Sequence, residues 1–383
     1  MKKARIWLLL AGLLAALALV AAGCGSDDDE AGDTGAATTG EAAELDKVSL
    51  QLKWVTQAQF AGYYAALEEG YYEDEGLEVE LKPGGPDITP EQVVASGQAE
   101  FGIDWLPALL AARDQGGDLV NIAQVFARSG MTELTWKDSG ITDVAGMKGK
   151  KVGVWCCGNE NELYAALVKN NIDPKNKDDV TIVNQPFDMN LFLNREVDAA
   201  AAMTYNELAQ VLEQENPDTG ELYTLEDLNV MLMSDLGTGA LEDGVFVQSE
   251  WIEDEENQDI ATRFLKASFK GWAFCRDNFE ECLQHVLDNG PTLGEGHQRW
   301  QLNEINKLIW PNDLGIGIMD PESWEITKQI AVDFGIVENE PDAEATYRTD
   351  LAHDAVGELE EEGVDILGED YEPEEVEVTP GGN

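Results

Sequence analysis

The sequence predicts an α/β protein made of two domains. Three observations carry this. Strand-like and helix-like segments alternate from Val48 onward, and repeated strand–helix units build parallel sheets covered by helices. The alternation runs as two successive series, the second opening at "GKKVGVW", residues 149–155. Roughly 300 foldable residues also exceed what one hydrophobic core usually serves.

The chain opens with a segment that is not part of that fold. "MKKARIW" is basic, "LLLAGLLAALALVAAG" is apolar, and Cys24 follows. The apolar run is short for a spanning helix and has a positive flank, so residues 1–23 read as a signal peptide. Ala21, Ala22 and Gly23 before Cys24 resemble a bacterial lipobox, which implies cleavage before Cys24 and its lipidation. Two acyl chains suffice for stable anchoring on the outer face of a membrane. Residues 24–46, of Gly, Ala, Thr and acid, lack the apolar bulk to order themselves and read as a flexible tether.

The folded elements follow in order. "VSLQLKWV" alternates as a strand. "QFAGYYAALEEGYYEDEG" has helical spacing and stops near Gly76, and "LEVELKPGG" is a strand closed by Pro-Gly. "TPEQVVASGQ" is a short helix, "AEFGIDW" a strand, "LPALLAARDQGG" a helix, and "LVNIAQVF" and "ELTWK" are strands. The second series runs from "KVGVW" and the helix after it through "VTIVNQP", "DAAAAM", "NVMLMSD" and "GVFVQSE". Helical segments dominate thereafter. Residues 47–140 are assigned to the first part of lobe 1, 141–240 to lobe 2, and 241–350 to a return to lobe 1 with C-terminal helices. Residues 351–383, rich in acid, are expected to be a solvated, disordered tail.

Charge excludes some partners. The 76 acidic residues against 24 basic ones give −52, which disfavours nucleic acid and anionic membrane surfaces. The acids are dispersed, without the D-x-D-x-D-G spacing of a calcium loop. A solvated acidic surface suited to high salt accounts for them. No Cys/His zinc spacing exists, so no metal and no cofactor is expected. Cys275 and Cys282 lie seven apart in one expected helix, about 10 Å, which is too far for a bridge. Buried free thiols are therefore expected, with a bridge from Cys156 or Cys157 to Cys275 or Cys282 as the remaining arrangement.

In open α/β sheets, ligands bind beyond the carboxyl ends of the strands. After "VSLQL" come Trp54 and Gln57; after "EFGI", Asp104 and Trp105; after "KVGV", Trp155, Asn159 and Glu160; after "DAAAAM", Tyr205, Asn206 and Glu207. One strand-end Trp is as readily core, but three at equivalent positions favour a pocket with flat walls. Tyr63 and Tyr64 are adjacent, so a helix aims only one at a site. Trp54, with Phe60 or Tyr63, is expected on the cleft wall, and Tyr71 and Tyr72 in packing.

The stretches "KWVTQAQFAGYYAALEEGYYEDEGLEVELKPGGP", "VVASGQAEFGIDW", "GKKVGVW", "REVDAAAAMTYNE", "LEDGVFV" and "FLKASFKGWAFCRDN" resemble the solute-binding proteins of ABC importers. The similarity spans roughly residues 48–345 and points to the ThiY-like thiamine-pyrimidine-precursor group, near a RibY-like riboflavin-binding branch. It implies a type II periplasmic-binding-protein-like fold of two lobes, a flat heteroaromatic ligand held in the cleft between them, an ABC permease as membrane partner and a monomeric, non-enzymatic protein. For an aminopyrimidine, a carboxylate accepts from the amine, and Asp104, Glu160, Glu207 and Asp243 are the candidates. Each is weighed against the default of a surface acid in so acidic a chain. Glu160, at an expected helix start, is also explained by the helix dipole. Fungal thiamine-pyrimidine synthases share this fold, but their cofactor Lys and donor His fall at Asp104 and Ala108 here. Their cysteine-rich motif falls in "LGTGALEDG", which has no cysteine. Those departures oppose synthase chemistry.

Overall fold

The computed structural model describes residues 45–155 and 159–383. The leader, Cys24, most of the tether and the Cys156–Cys157 pair lie outside the described residues.

Two five-stranded sheets form the two lobes. The first has the order β2-β1-β3-β10-β4, from β1 (Asp46–Gln51), β2 (Leu77–Lys82), β3 (Phe101–Asp104), β4 (Leu119–Gln124) and β10 (Gly244–Gln248). The second has the order β7-β6-β8-β5-β9, from β5 (Met131–Trp136), β6 (Lys151–Val154), β7 (Thr181–Asn184), β8 (Ala199–Met203) and β9 (Leu228–Leu232). The expectation of purely parallel sheets needs correcting. β10 runs antiparallel to β3 and β4, and β5 runs antiparallel to β8 and β9. The reason is connectivity. The chain crosses between lobes at 125–130 and 233–243, and β5 and β10 are the first strands after each crossing. A strand that begins at the hinge runs away from the cleft, opposite to strands that end there. The first crossing thus falls before β5, so "ELTWK" sits in the second sheet and not in the first lobe.

Helices cover these sheets. The predicted first helix is broken by Gly70 at φ 75° into α1 (Ala61–Glu68) and α2 (Tyr71–Asp74), because the left-handed region suits glycine and ends a helix. α3 (Pro90–Ala95) and α4 (Leu106–Asp114) follow in lobe 1, then α5 (Asn161–Lys169), α6 (Asn190–Leu193), α7 (Glu207–Leu212) and α8 (Met233–Leu236). The C-terminal part holds α9 (Glu255–Asp277), α10 (Phe279–Asn289), α11 (Glu295–Ile309), α12 (Pro321–Asp333), α13 (Ala343–Thr346) and α14 (Asp350–Glu361). α9 buries Phe264, Leu265, Phe269 and Trp272 on one stripe. It lies tight on α1, since a Cβ on Gly62 would collide with the Trp272 ring. The Tyr72 hydroxyl bonds Ser268 Oγ at 2.9 Å, and Lys270 Nζ lies over the Tyr71 ring; both rings are packed against α9.

Two expectations fail in this region. Cys275 and Cys282 form a disulfide, with Cα atoms 5.0 Å apart. They are not on one helix: Asn278, at φ −130° and ψ 60°, separates α9 from α10 and folds the second helix back. The C-terminal tail is also ordered. Leu351, Ala352, Ala355, Val356 and Leu359 form a buried stripe on α14. Beyond it, Ile366 is buried, Leu367 accepts from Asn312 N, and Glu374 N donates to Asn303 Oδ1 on α11. Val378 then joins the core under the second sheet, and Gly381 N donates to Glu213 O beyond α7. The acidic residues of this strap face outward, and a few apolar ones hold it.

Candidate functional site

The carboxyl ends of β1, β3, β6 and β8 converge on a cavity of about 1000 Å³. Among the sequence-predicted residues, Trp54, Gln57, Asp104, Trp105, Trp155, Asn159, Tyr205, Asn206 and Glu207 line it. Phe60, Tyr63, Glu160 and Asp243 are not on its wall. Phe60 and Tyr63 are core residues, the latter edge-on to Trp272 at 5.7 Å. Their helix turns them inward because α9 covers that face. Asp243 lies behind the wall and accepts from Gln59 Nε2 at 2.8 Å, while Gln57 Nε2 donates to Gln59 Oε1 at 2.7 Å.

The rings differ in what they offer. Trp54, half-buried after β1, has its ring centroid 5.0 Å from Phe187, which follows β7 in the other lobe. Phe187 in turn lies near-parallel to Trp155 at 6.4 Å. These three rings form one aromatic wall across the mouth of the cleft. Phe187 is 51 % exposed, which is a high value for an aromatic ring. Trp105 is different: Lys53 Nζ sits 4.8 Å from its centroid and covers one face. Trp155 buries an indole N–H that has no partner among the described residues.

The polar groups are mostly committed to one another. Lys53 forms an ion pair with Asp104 Oδ1, which also accepts from Trp105 N at 2.7 Å. Burial would discharge Lys53, but the Asp104 carboxylate outweighs it and holds the ammonium charged. Glu207 accepts from Met203 N at 2.9 Å and from Asn206 Nδ2 at 3.0 Å; burial pushes it up to about 7. Asn206 Oδ1 lies 3.0 Å from His297 Nε2, and His297 Nδ1 lies 2.7 Å from Glu213. Among the further lining residues that sequence reading missed are Glu91 and Phe187. Phe187 carried a usable signal, standing three residues past the end of β7. Glu91 follows no strand and carried none.

The arrangement is a pocket with flat apolar walls and a carboxyl-rich floor, closed between lobes. No cluster of metal-binding side chains occurs among the described residues. The architecture is the two-lobed fold of periplasmic solute-binding proteins. It is similar to a putative sulfonate ABC transporter periplasmic binding protein, SsuA, from Methylobacillus flagellatus, at a TM-score of 0.60 and 16% identity over 88% of this chain and 99% of that one. The chain belongs to the NMT1/THI5-like family, whose model matches residues 57–282. It is 24% identical over 295 residues to a formylaminopyrimidine-binding protein of Halalkalibacterium halodurans, covering 75% of this chain and 85% of that protein. It is likewise 24% identical over 317 residues to the riboflavin-binding protein RibY of Chloroflexus aurantiacus, covering 80% and 86%.

Proposed function

We propose that this protein is the solute-binding component of an ABC importer and that it captures a thiamine pyrimidine precursor of the formylaminopyrimidine or hydroxymethylpyrimidine type. The observation that carries this is the aromatic wall of Trp54, Phe187 and Trp155 above a floor of buried carboxyls. Rings bind a flat heterocycle by offset stacking, and acceptors read its amine edge. Riboflavin is the second reading, favoured by the cavity of about 1000 Å³, which is the upper end of the usual range for small-molecule sites and generous for one pyrimidine ring. A synthase activity is not supported, because Asp104 and Ala108 stand on the cleft where that chemistry needs a lysine and a histidine. The deciding experiment is mass spectrometry of the solute released on mild denaturation of the purified protein. A pyrimidine or flavin mass supports the reading, and an aliphatic sulfonate or amino acid would end it.

The same reading places the protein outside the cytoplasmic membrane, tethered through Cys24 and delivering its solute to a permease as a monomer. No described helix is long and apolar enough to cross a membrane. Cys24→Ala is expected to shift the protein from the membrane to the soluble fraction with loss of the acyl mass. Identical fractionation of variant and parent would remove the anchor.

A further inference from the structure

The acids around the cleft differ in whether their oxygens are already used. Asp104 is bonded to Lys53 and to the Trp105 amide, Glu207 to Met203 N and Asn206, and Asp243 to Gln59 from behind the wall. Asp243 also leaves Oδ1 unpaired, but behind the wall; Glu91 is the lining acid with a buried oxygen that has no partner among the described residues. It lies in the first turn of α3, lines the cavity and is only 4 % exposed. Its Oε1 is buried without a hydrogen-bond partner. A buried polar atom left unpaired costs stability; Glu133 and Glu242 also bury unpaired carboxyl oxygens, but away from the cavity, whereas Glu91 does so on the wall where a solute can reach it. The charged neighbours are Asp104, whose side chain shares a hydrogen bond with the Glu91 carboxyl, and Lys53. Burial and the Asp104 charge push the Glu91 carboxyl up to about 8, so at neutral pH it is a carboxylic acid and adds no second charge beside Asp104.

We propose that Glu91 is a specificity-determining residue of the cleft, held there to accept an N–H of the bound heterocycle. This rests on the solute-binding reading above and narrows it to ligands that carry an N–H donor on their flat edge, an exocyclic amine or a ring imide. Asp104, the residue that strand-end position favours, then acts chiefly by fixing Lys53 and positioning the Glu91 carboxyl.

The test compares the parent with Glu91→Met and Glu91→Gln, using titration calorimetry with formylaminopyrimidine and with riboflavin and thermal melting without solute. Methionine fills the space but removes the acceptor. Binding of whichever probe the parent takes should weaken roughly tenfold to a hundredfold, while the melting temperature rises by about 2 °C or more as the unpaired group is lost. Glutamine keeps an acceptor oxygen and should bind within about fivefold of the parent. Opposite signs for binding and melting are what a merely structural carboxyl would not give. Parent-like binding by Glu91→Met, or a lowered melting temperature in it, overturns the proposal. A parent that binds neither probe refutes the ligand class instead, and the melt still decides whether Glu91 serves the fold.

Discussion

Trp54→Ala is expected to weaken solute binding about a hundredfold, with little change in melting temperature. The ring contributes stacking of on the order of 1 kcal/mol beyond burial, and its lost apolar area adds a further 1.5–3 kcal/mol or so. The fold should tolerate the change, because Trp54 is half-buried at the cleft mouth and only packed against the core margin. Phe187→Ala should cost less, about tenfold, since half of that ring is already in solvent. The pair also makes a cycle. If the two rings enclose the solute together, the double variant should lose less than the two single losses added. Calorimetry of the three variants against formylaminopyrimidine and riboflavin reads this directly. Parent-like affinity in both single variants would mean that the aromatic wall is not the binding surface.

The second large effect is on stability against pH. Among the described residues burial raises seven carboxyls: Glu91 and Glu162 to about 8, Glu207 and Asp243 to about 7, Glu133 and Glu242 well above their ordinary value, and Glu304 above it. The Glu162–Glu242 pair shows why. Both lie against the hydroxyl of Ser129, at 3.2 and 2.8 Å, and with water excluded by burial the charge of Glu162 also opposes ionisation of Glu242. In the unfolded chain these groups ionise near pH 4 to 4.5. Between there and pH 8 the folded chain keeps protons the unfolded chain has released, so stability falls as pH rises. Each unit of difference is worth about 1.4 kcal/mol before relaxation and water entry reduce it. A fall in melting temperature of roughly 10 °C between pH 5 and pH 8 is therefore expected. Surface repulsion among the many acids acts in the same direction, but salt screens it. Added sodium chloride should raise the melting temperature at every pH, while the slope owed to the buried groups persists at molar salt. A melting temperature flat from pH 5 to 8 in molar salt would show that these carboxyls do not titrate as described.

Much of the fold was legible because its signals are local. Period-two runs such as "LEVELK" and strand-end clusters such as "TYNE" mark where strands lie and where they stop. Long-range facts were not. Nothing local says that β10 returns antiparallel between β3 and β4, since pairing depends on the direction of a crossing. Asn278 splits two helices whose apolar spacing reads as continuous, and the distance between Cys275 and Cys282 was therefore misjudged. In the tail, the acids hid the stripe from Leu351 to Leu359. At the site, nine expected residues reach the cavity because strand ends in parallel sheets share one edge. Phe60 and Tyr63 turn away because α9 claims their face. Glu91 escaped notice because its place depends on how α3 leans over β3, which no spacing in the sequence encodes.

The path of the last residues changes how the lobes can move. Two crossings join most of such a fold, and a swing about them leaves the far edges free. Here a third strand of chain leaves lobe 1 at Ile366, follows α11 and ends against Glu213 in lobe 2. It acts as a leash whose slack limits how wide the jaws open. Any opening beyond that slack must first peel Gly381 and its neighbours from their seat. Opening of the lobes and undocking of residues 378–383 are thus one mechanical event, and a label attached at Asn383 would pull on the same joint.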